Sequence, residues 1–339
     1  MPTAPRKRST HPATVRMDDV AREAGVAPIT VSRALNTPDK LSAATLRAVR
    51  AAIDRLRYVP NLTAGSLASN RSRTVAVIVP TISNSIFSDT IDGLAQALAP
   101  HRYQLLLGQT QYRVDEEAAL VHAFLGRRVD GVVLTGVNHA RGVRASLQRA
   151  GIPVVETWDL SDRPIHMLVG FSNLAAGRAA AHYLLGKGYR SLAFIGGDDD
   201  RSTARLQGFR EAVAAEGAGD VATALVPAPS SPADAGRALS ALLASGTPRA
   251  VFCSNDMLAA GVLFECARRR IAVPSRFAVM GFADLPIAAS IEPALTSMQV
   301  RATQMGLRAG QILLSHLRGD APRERIVDLG FAVVERAST

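Results

Sequence analysis

From Thr74 to about residue 318 the chain alternates short, continuous apolar runs with stretches of helical spacing, and few folds accommodate that order. TVAVIVP is a strand-length run, and residues 86–99 follow with helical periodicity. YQLLLG, a helix at 115–127, DGVVLTG, a helix at 139–150, then IPVVE and HMLVGF continue the series. A helix at 173–187, SLAFIGG, helices at 203–217 and 233–245, RAVFCS, a helix at 256–270, FAVMGF and a helix at 303–318 complete it. Strands apolar along their whole length are buried on both faces, and a helix between successive strands supplies the crossover of a parallel pair. The stretch is too long for one hydrophobic core, so the expectation is an α/β core of two doubly wound parallel-sheet lobes. The halves echo each other weakly, and no short repeat is present.

Residues 17–35, MDDVAREAGVAPITVSRAL, precede this core and follow a different rule. Val20, Ala21 and Ala24 share one helical face. Gly25 stands where the chain must turn through positive φ, and Pro28 opens a second helix where its missing N–H costs nothing. Val31, Ala34 and Leu35 form that helix's inner face. Alanine at 21, glycine at 25 and valine at 31 have the spacing of a helix-turn-helix, the unit whose second helix enters a DNA major groove. From this stretch alone any helical hairpin is the alternative. Asn36 to Asp39 reads as a turn, and Ser42 as the cap of a third helix with Leu46, Val49, Ile53 and Leu56 on its inner stripe. Asn61 then caps LTAGSLAS, a helix too short to persist alone in water, which forms only against DNA or its own copy.

The charge is segregated in the same way. Residues 1–73 hold thirteen Lys and Arg against five Asp and Glu, a local +8 of the chain's +10. A basic head on a nearly neutral body suits a nucleic-acid reader with a second task. Cys253 and Cys266, thirteen apart, fit buried apolar positions and offer no metal or redox spacing. No apolar stretch reaches the length of a membrane span, and residues 1–15, basic and lacking an apolar segment, read as a disordered tail of a cytoplasmic protein and not an export signal. No cofactor and no metal site is expected.

The segments DVAREAGVAPITVSRALN, YVPNLTAGSLAS, TVAVIVPTISNSIFS, DGVVLTG, GIPVVE, CSNDMLAAG, MGFAD and EPALTSMQV occur in this order. Through them the chain resembles the lactose-repressor (LacI) family of bacterial transcription regulators over nearly its whole length. VGFSN, VFCSNDMLAAG, FEC and VDLGF resemble the gluconate-operon repressors within it. The resemblance implies a helix-turn-helix head at 16–60, a hinge helix at 61–72, and a core at 73–339 like the periplasmic sugar-binding proteins. Lobe 1 is expected at about 74–172 and 301–329, lobe 2 at about 173–300 and 330–337. It also implies a homodimer on a near-palindromic double-stranded operator in the bacterial nucleoid. Some relatives add a C-terminal leucine heptad that makes tetramers; the sequence closes on VVERAST without one, so a dimer is expected.

The family's base-reading positions fall on Pro28, Ile29 and Arg33. The first two can only pack, on a thymine methyl, whereas Arg33 suits O6 and N7 of guanine; the alternative for Arg33 is a plain surface arginine. Thr30, Ser32 and Asn36 suit phosphate oxygens, and for Thr30 and Ser32 a bond to their own helix competes. Ala27 occupies a position where a serine cap is usual. Leu67 matches a leucine that wedges into the minor groove, beside Ala68, with Asn61 as cap and backbone contact; its alternative is packing within the hinge.

The resemblance also implies an effector cleft between the lobes, beyond the C-terminal ends of the strands. It assigns Ser83, Ser85, Phe87, Glu156, Asp159, Arg205, Asn255, Asp256 and Asp284 to that cleft. Arg205 reads as a clamp on a carboxylate or hydroxyls, or as a helix-face arginine. Asn255 is equally a helix cap, and Phe87 equally core. Ala283 replaces an aspartate common in the family, with Asp284 one later, which argues for a sugar acid such as gluconate over a plain hexose. Another sugar, a phosphosugar, or use of the effector as corepressor or activator stays open. No GxGxxG, P-loop, HExxH or GxSxG motif supports an enzyme. A transport-associated sugar-binding protein would not carry a basic head, and a nonspecific nucleoid protein would bind any duplex under the control of salt alone.

Overall fold

The computed structural model describes residues 15–59, 71–83, 85–246, 248–320 and 324–339, divided between a unit reaching Asn70 and a unit beginning at Arg71. The expected hinge residues Asn61, Leu67 and Ala68, and the tail up to residue 14, lie outside the described residues.

In the head, α1 (Met17–Glu23), α2 (Pro28–Asn36) and α3 (Ala43–Leu56) close on one small core. Val20, Ala21, Val31, Ala34, Val49, Ala52 and Tyr58 are buried in it. Gly25 takes φ +65°, which turns α1 into α2 without a Cβ penalty. Ser42 Oγ accepts from Thr45 N at 3.2 Å and caps α3. Ala27 offers no such bond at the start of α2. An Arg55–Glu23 ion pair of 2.5 Å ties α3 to α1. The expected turn at 36–39 is shorter than its sequence suggests. Asn36 stays helical because its Nδ2 donates to Ser32 O at 3.0 Å, and Pro38–Lys40 forms a single 3₁₀ turn.

The second unit runs β1 (Thr74–Val79), α4 (Ser88–Leu98), β2 (Gln104–Gln109), α5 (Val114–Gly126), β3 (Gly131–Thr135), α6 (Val143–Ala150), β4 (Val154–Thr157) and β5 (Met167–Gly170). It continues with α7 (Asn173–Gly186), β6 (Leu192–Gly197), α8 (Asp200–Ala215), β7 (Ala222–Val226), α9 (Pro232–Ser245), β8 (Ala250–Cys253), α10 (Asp256–Arg268) and β9 (Ala278–Ala283). α11 (Pro286–Ser290), β10 (Thr296–Val300), α12 (Ala302–Arg318), β11 (Ile326–Asp328) and β12 (Phe331–Val334) close the chain.

The strands pair into two sheets, in the orders β11-β5-β4-β3-β1-β2 and β12-β10-β9-β8-β6-β7. All neighbours are parallel except β12, which runs antiparallel to β10. The chain passes between the sheets after β5, after β10 and between β11 and β12, and the crossing segments are joined where Leu329 N donates to Gly170 O at 2.8 Å. Most strands read as apolar runs are buried at nearly every position, LAFIGG at all of them, whereas β2, at a sheet edge, is mostly exposed or half-buried. β7, β10, β11 and β12 were not legible as strands. β7, β11 and β12 lie at sheet edges and are only partly covered, and β10 carries Thr296 and Ser297 in its buried positions.

One apolar cluster runs through both lobes and includes Val77, Trp158, Phe171, Phe194, Phe282 and Met305. Separate clusters fill the outer layer of each lobe. Cys253 and Cys266 are buried free thiols. Among the described residues no helix is long and apolar enough to cross a membrane.

Candidate functional site

The outer surface of α2 carries little that could be there for packing. Ile29 is 59% exposed, an unusual position for a large aliphatic side chain, and Pro28 and Arg33 are exposed beside it. Arg33 forms no ion pair among the described residues. Thr30 and Ser32 are half-buried, and Asn36 reaches back to Ser32 O and, at 3.5 Å, to Ser32 Oγ. The helix therefore presents an apolar tip and a guanidinium with no ion pair among the described residues, flanked by short polar groups.

The second site lies at the ends of β1, β2, β3 and β6. A cavity of about 180 Å³ opens there, lined by Pro80, Thr110, Tyr112, Asn138 and the segment Asp198–Arg201, among others. Arg205 lies one helical turn behind Arg201 on α8, and it is only 5% exposed. Its Nη1 donates to Asn173 Oδ1, its Nε has no hydrogen-bond partner, and its Cζ stacks 4.2 Å from the Phe282 ring centroid. Burial pulls its pKa down to about 10, against the raising influence of Asp199, so it stays charged near neutrality.

Two glycines allow this placement. A Cβ on Gly208 would stand 1.9 Å from Leu174 O, and one on Gly177 would stand 2.0 Å from Arg205 O. Their absent side chains let α7 and α8 touch backbone to backbone, which sets Arg205 against Asn173 at the first residue of α7. Asn173 Nδ2 in turn donates to Trp158 O at 2.9 Å. Trp158, at φ +69°, packs edge-on to Phe87 at 5.1 Å and to Phe171 at 6.0 Å, and Phe171 meets Phe282 at 5.8 Å. The guanidinium thus rests on an aromatic floor contributed by both lobes. Arg201 joins it from above, 5.6 Å from the Phe87 centroid, 5.9 Å from Tyr112, and 3.7 Å from Asp199 Oδ1.

The residues assigned to the cleft from sequence divide into groups. Arg205 and Phe87 belong to this cluster, and Asp159 is half-buried within electrostatic reach of Arg205 while its Oδ1 accepts from Leu160 N at 2.9 Å. Ser83 is exposed, and the Ser85 side chain lies outside the description. The other polar side chains are committed inside their own lobes. Glu156 accepts from Ile165 N at 2.5 Å and lies 3.0 Å from His139 Nε2. Asn255 caps α10 by accepting from Leu258 N at 2.9 Å. Asp256 accepts from Leu285 N and from Ser297 Oγ, both at 2.6 Å, and burial pushes its carboxyl up to about 7 despite those two donors. Asp284 is held by Gln299 Nε2 at 2.9 Å and Arg336 Nη1 at 2.7 Å. Sequence reasoning passed over Arg201, Tyr112, Trp158 and Asn173. Arg201 had a signal, since it stands four residues before Arg205 on the same helical face.

A helix-turn-helix head carried with a two-lobed core that buries a charged cleft defines the class of ligand-responsive transcription regulators. The family model for bacterial regulatory proteins of the lacI family matches residues 16–61, and that for the periplasmic binding protein-like domain matches residues 181–339. The HTH-type transcriptional regulator GntR of Pseudomonas aeruginosa is 39% identical over 327 residues, 95% of each chain. A LacI-family transcriptional regulator from Silicibacter pomeroyi superposes with a TM-score of 0.89 at 32% identity, covering 96% of this chain and 99% of that one. The transcription regulator GntR from Chromobacterium violaceum gives 0.76 at 37% identity, over 78% and 98%. The chain belongs to the LacI family: it is a DNA-binding transcriptional repressor, near the GntR-type regulators, and not an enzyme.

Proposed function

We propose that this repressor answers a small sugar acid of the gluconate type, held between the lobes with its carboxylate on Arg205. The observation that carries this reading is a buried guanidinium whose Nε is unpartnered and whose polar contact is the neutral Asn173. A buried cation with carboxylates only at a distance and none paired to it is costly, and an incoming carboxylate relieves that cost through a charge-assisted bond. The aromatic floor suits the apolar face of a sugar chain, and Arg201 stands ready for its hydroxyls. The near relatives of GntR type point to the same effector class.

The head, at 16–60, reads a near-palindromic operator as part of a homodimer in the cytoplasm, associated with the nucleoid. Ile29 and Pro28 pack on thymine methyls, Arg33 takes guanine, and Thr30, Ser32 and Asn36 set the register on phosphates. Residues 61–72 form the hinge, with Asn61 as cap and Leu67 and Ala68 at the minor groove. The core at 73–339 has its lobes at about 74–172 with 301–329 and at about 173–300 with 330–337. Effector occupancy shifts the lobe equilibrium and thereby operator affinity, each ligand altering the other's binding by one common factor.

Thermal shift with D-gluconate, D-glucose and 6-phosphogluconate, followed by operator binding with any hit, tests this reading. Stabilisation by an acid and not by the neutral hexose is expected. Equal stabilisation by D-glucose, or none by any acid, defeats it.

A further inference from the structure

The loop between β3 and α6 reaches across the cleft to the first turn of α8, the helix that carries Arg205. Asn138 Nδ2 donates to Asp200 Oδ2 at 3.2 Å. Gly136 takes φ +99°, and Arg201 Nη1 lies 3.1 Å from the place its Cβ would occupy. Phe87 and Tyr112, also from lobe 1, stack on the same Arg201. Lobe 1 therefore meets two consecutive residues of lobe 2 through both a hydrogen bond and aromatic contact.

The loop stands on a rigid base. His139, next to Asn138, is 4% exposed at its side chain, with Nδ1 2.7 Å from Glu117 Oε1 and Nε2 3.0 Å from Glu156 Oε1. Ala140 N donates to Glu117 Oε2 at 2.8 Å. One Glu156 oxygen anchors the loop at His139 and the other accepts from Ile165 N, so both are occupied within lobe 1. The exposed arm at Asn138 thus projects from a residue with both ring nitrogens bound.

We propose that this loop is an inter-lobe clasp, in which Asn138 and Gly136 hold Asp200 and Arg201 and so position Arg205, one turn further along α8, for effector capture. The proposal rests on the cleft reading for its effector arm alone. Asn138 and Asp200 line the cavity, and in this proposal they act as positioning residues, through Arg201 and Arg205. With the clasp closed, α8 is docked before a ligand arrives, and part of the ordering cost of binding is already met.

The test is a double-mutant cycle in the ligand-free full chain, read by amide hydrogen exchange. Asn138→Ala and Asp200→Ala should each speed exchange in both partner segments, 136–142 and 198–206, and the double variant should be no faster than either single one. Asn138→Lys should restore protection opposite Asp200 but not in the Asp200→Ala background, a rescue that a mere helix-end role for Asp200 would not show. Changes confined to the mutated segment, or additive in the double variant, overturn the clasp. In a second arm the single variants should weaken D-gluconate binding about three- to ten-fold, the range of one net hydrogen bond, and an unchanged affinity counts against the positioning role. If D-gluconate fails to bind the wild-type chain, or binds Arg205→Ala as well, the cleft reading falls, while the exchange cycle still decides the clasp.

Discussion

Gly208 lies so close to Leu174 that a Cβ on it would stand 1.9 Å from the Leu174 carbonyl oxygen. Backbone cannot yield as a side chain tip can, so Gly208→Ala must separate α7 from α8. The expected loss is about 1–3 kcal/mol, the usual cost of overpacking. Melting of the purified variant should show it, together with a weakened effector response, because Arg205 and Asn173 face each other across the same contact. An unchanged melting temperature would contradict the close packing.

Arg205→Ala should abolish the effector response while leaving operator affinity near the wild-type value, whereas Arg33→Ala should reverse the pattern. For Arg33 the expected cost at its guanine is about 1–3 kcal/mol. Operator titrations with and without D-gluconate separate the two. Loss of both activities in both variants would mean that the head and the core do not divide the work.

Ile29 can report a base only through contact with a methyl group. Ile29→Ala should weaken operator binding by roughly 1 kcal/mol, on the scale of one or two buried methylene groups. Replacing the contacted thymine by uracil should cost a similar amount in the wild type and nothing further in the variant. A full additional penalty in the variant would show that the methyl is not its partner.

His139 gives the core a dependence on alkaline pH. Burial opposes its charge, but hydrogen bonds and attraction from Glu117 and Glu156 prevail and raise its pKa from 6.5 to about 9. A raised folded-state value stabilises the protein fully below pH 6.5, and the contribution fades as pH rises through 9. The shift corresponds to roughly 3 kcal/mol at about 1.4 kcal/mol per unit. Melting curves between pH 7 and 10 should fall for the wild type and fall less for Glu117→Gln, which removes one of the two charges facing the ring. Parallel curves for the two proteins would exclude His139 as the source.

Much of this molecule was determined by local pattern. Continuous runs such as SLAFIGG could only be strands covered on both faces, and Gly25 and Pro28 mark the turn and the second helix of the head. Arg205 was singled out through the family resemblance, by its place before Gly208 and Phe209, and the structure places it in the buried aromatic cluster. What tertiary structure alone decided is where each acid's lone pairs go. The resemblance assigned Glu156, Asp256 and Asp284 to the cleft, and the structure adds that their oxygens meet Ile165, His139, Leu285, Ser297, Gln299 and Arg336, several of them distant in sequence. Periodicity reports which face a side chain takes, since that depends on its neighbours along the chain. A hydrogen-bond partner arrives from another strand or lobe, and only the packed fold brings it within three ångströms.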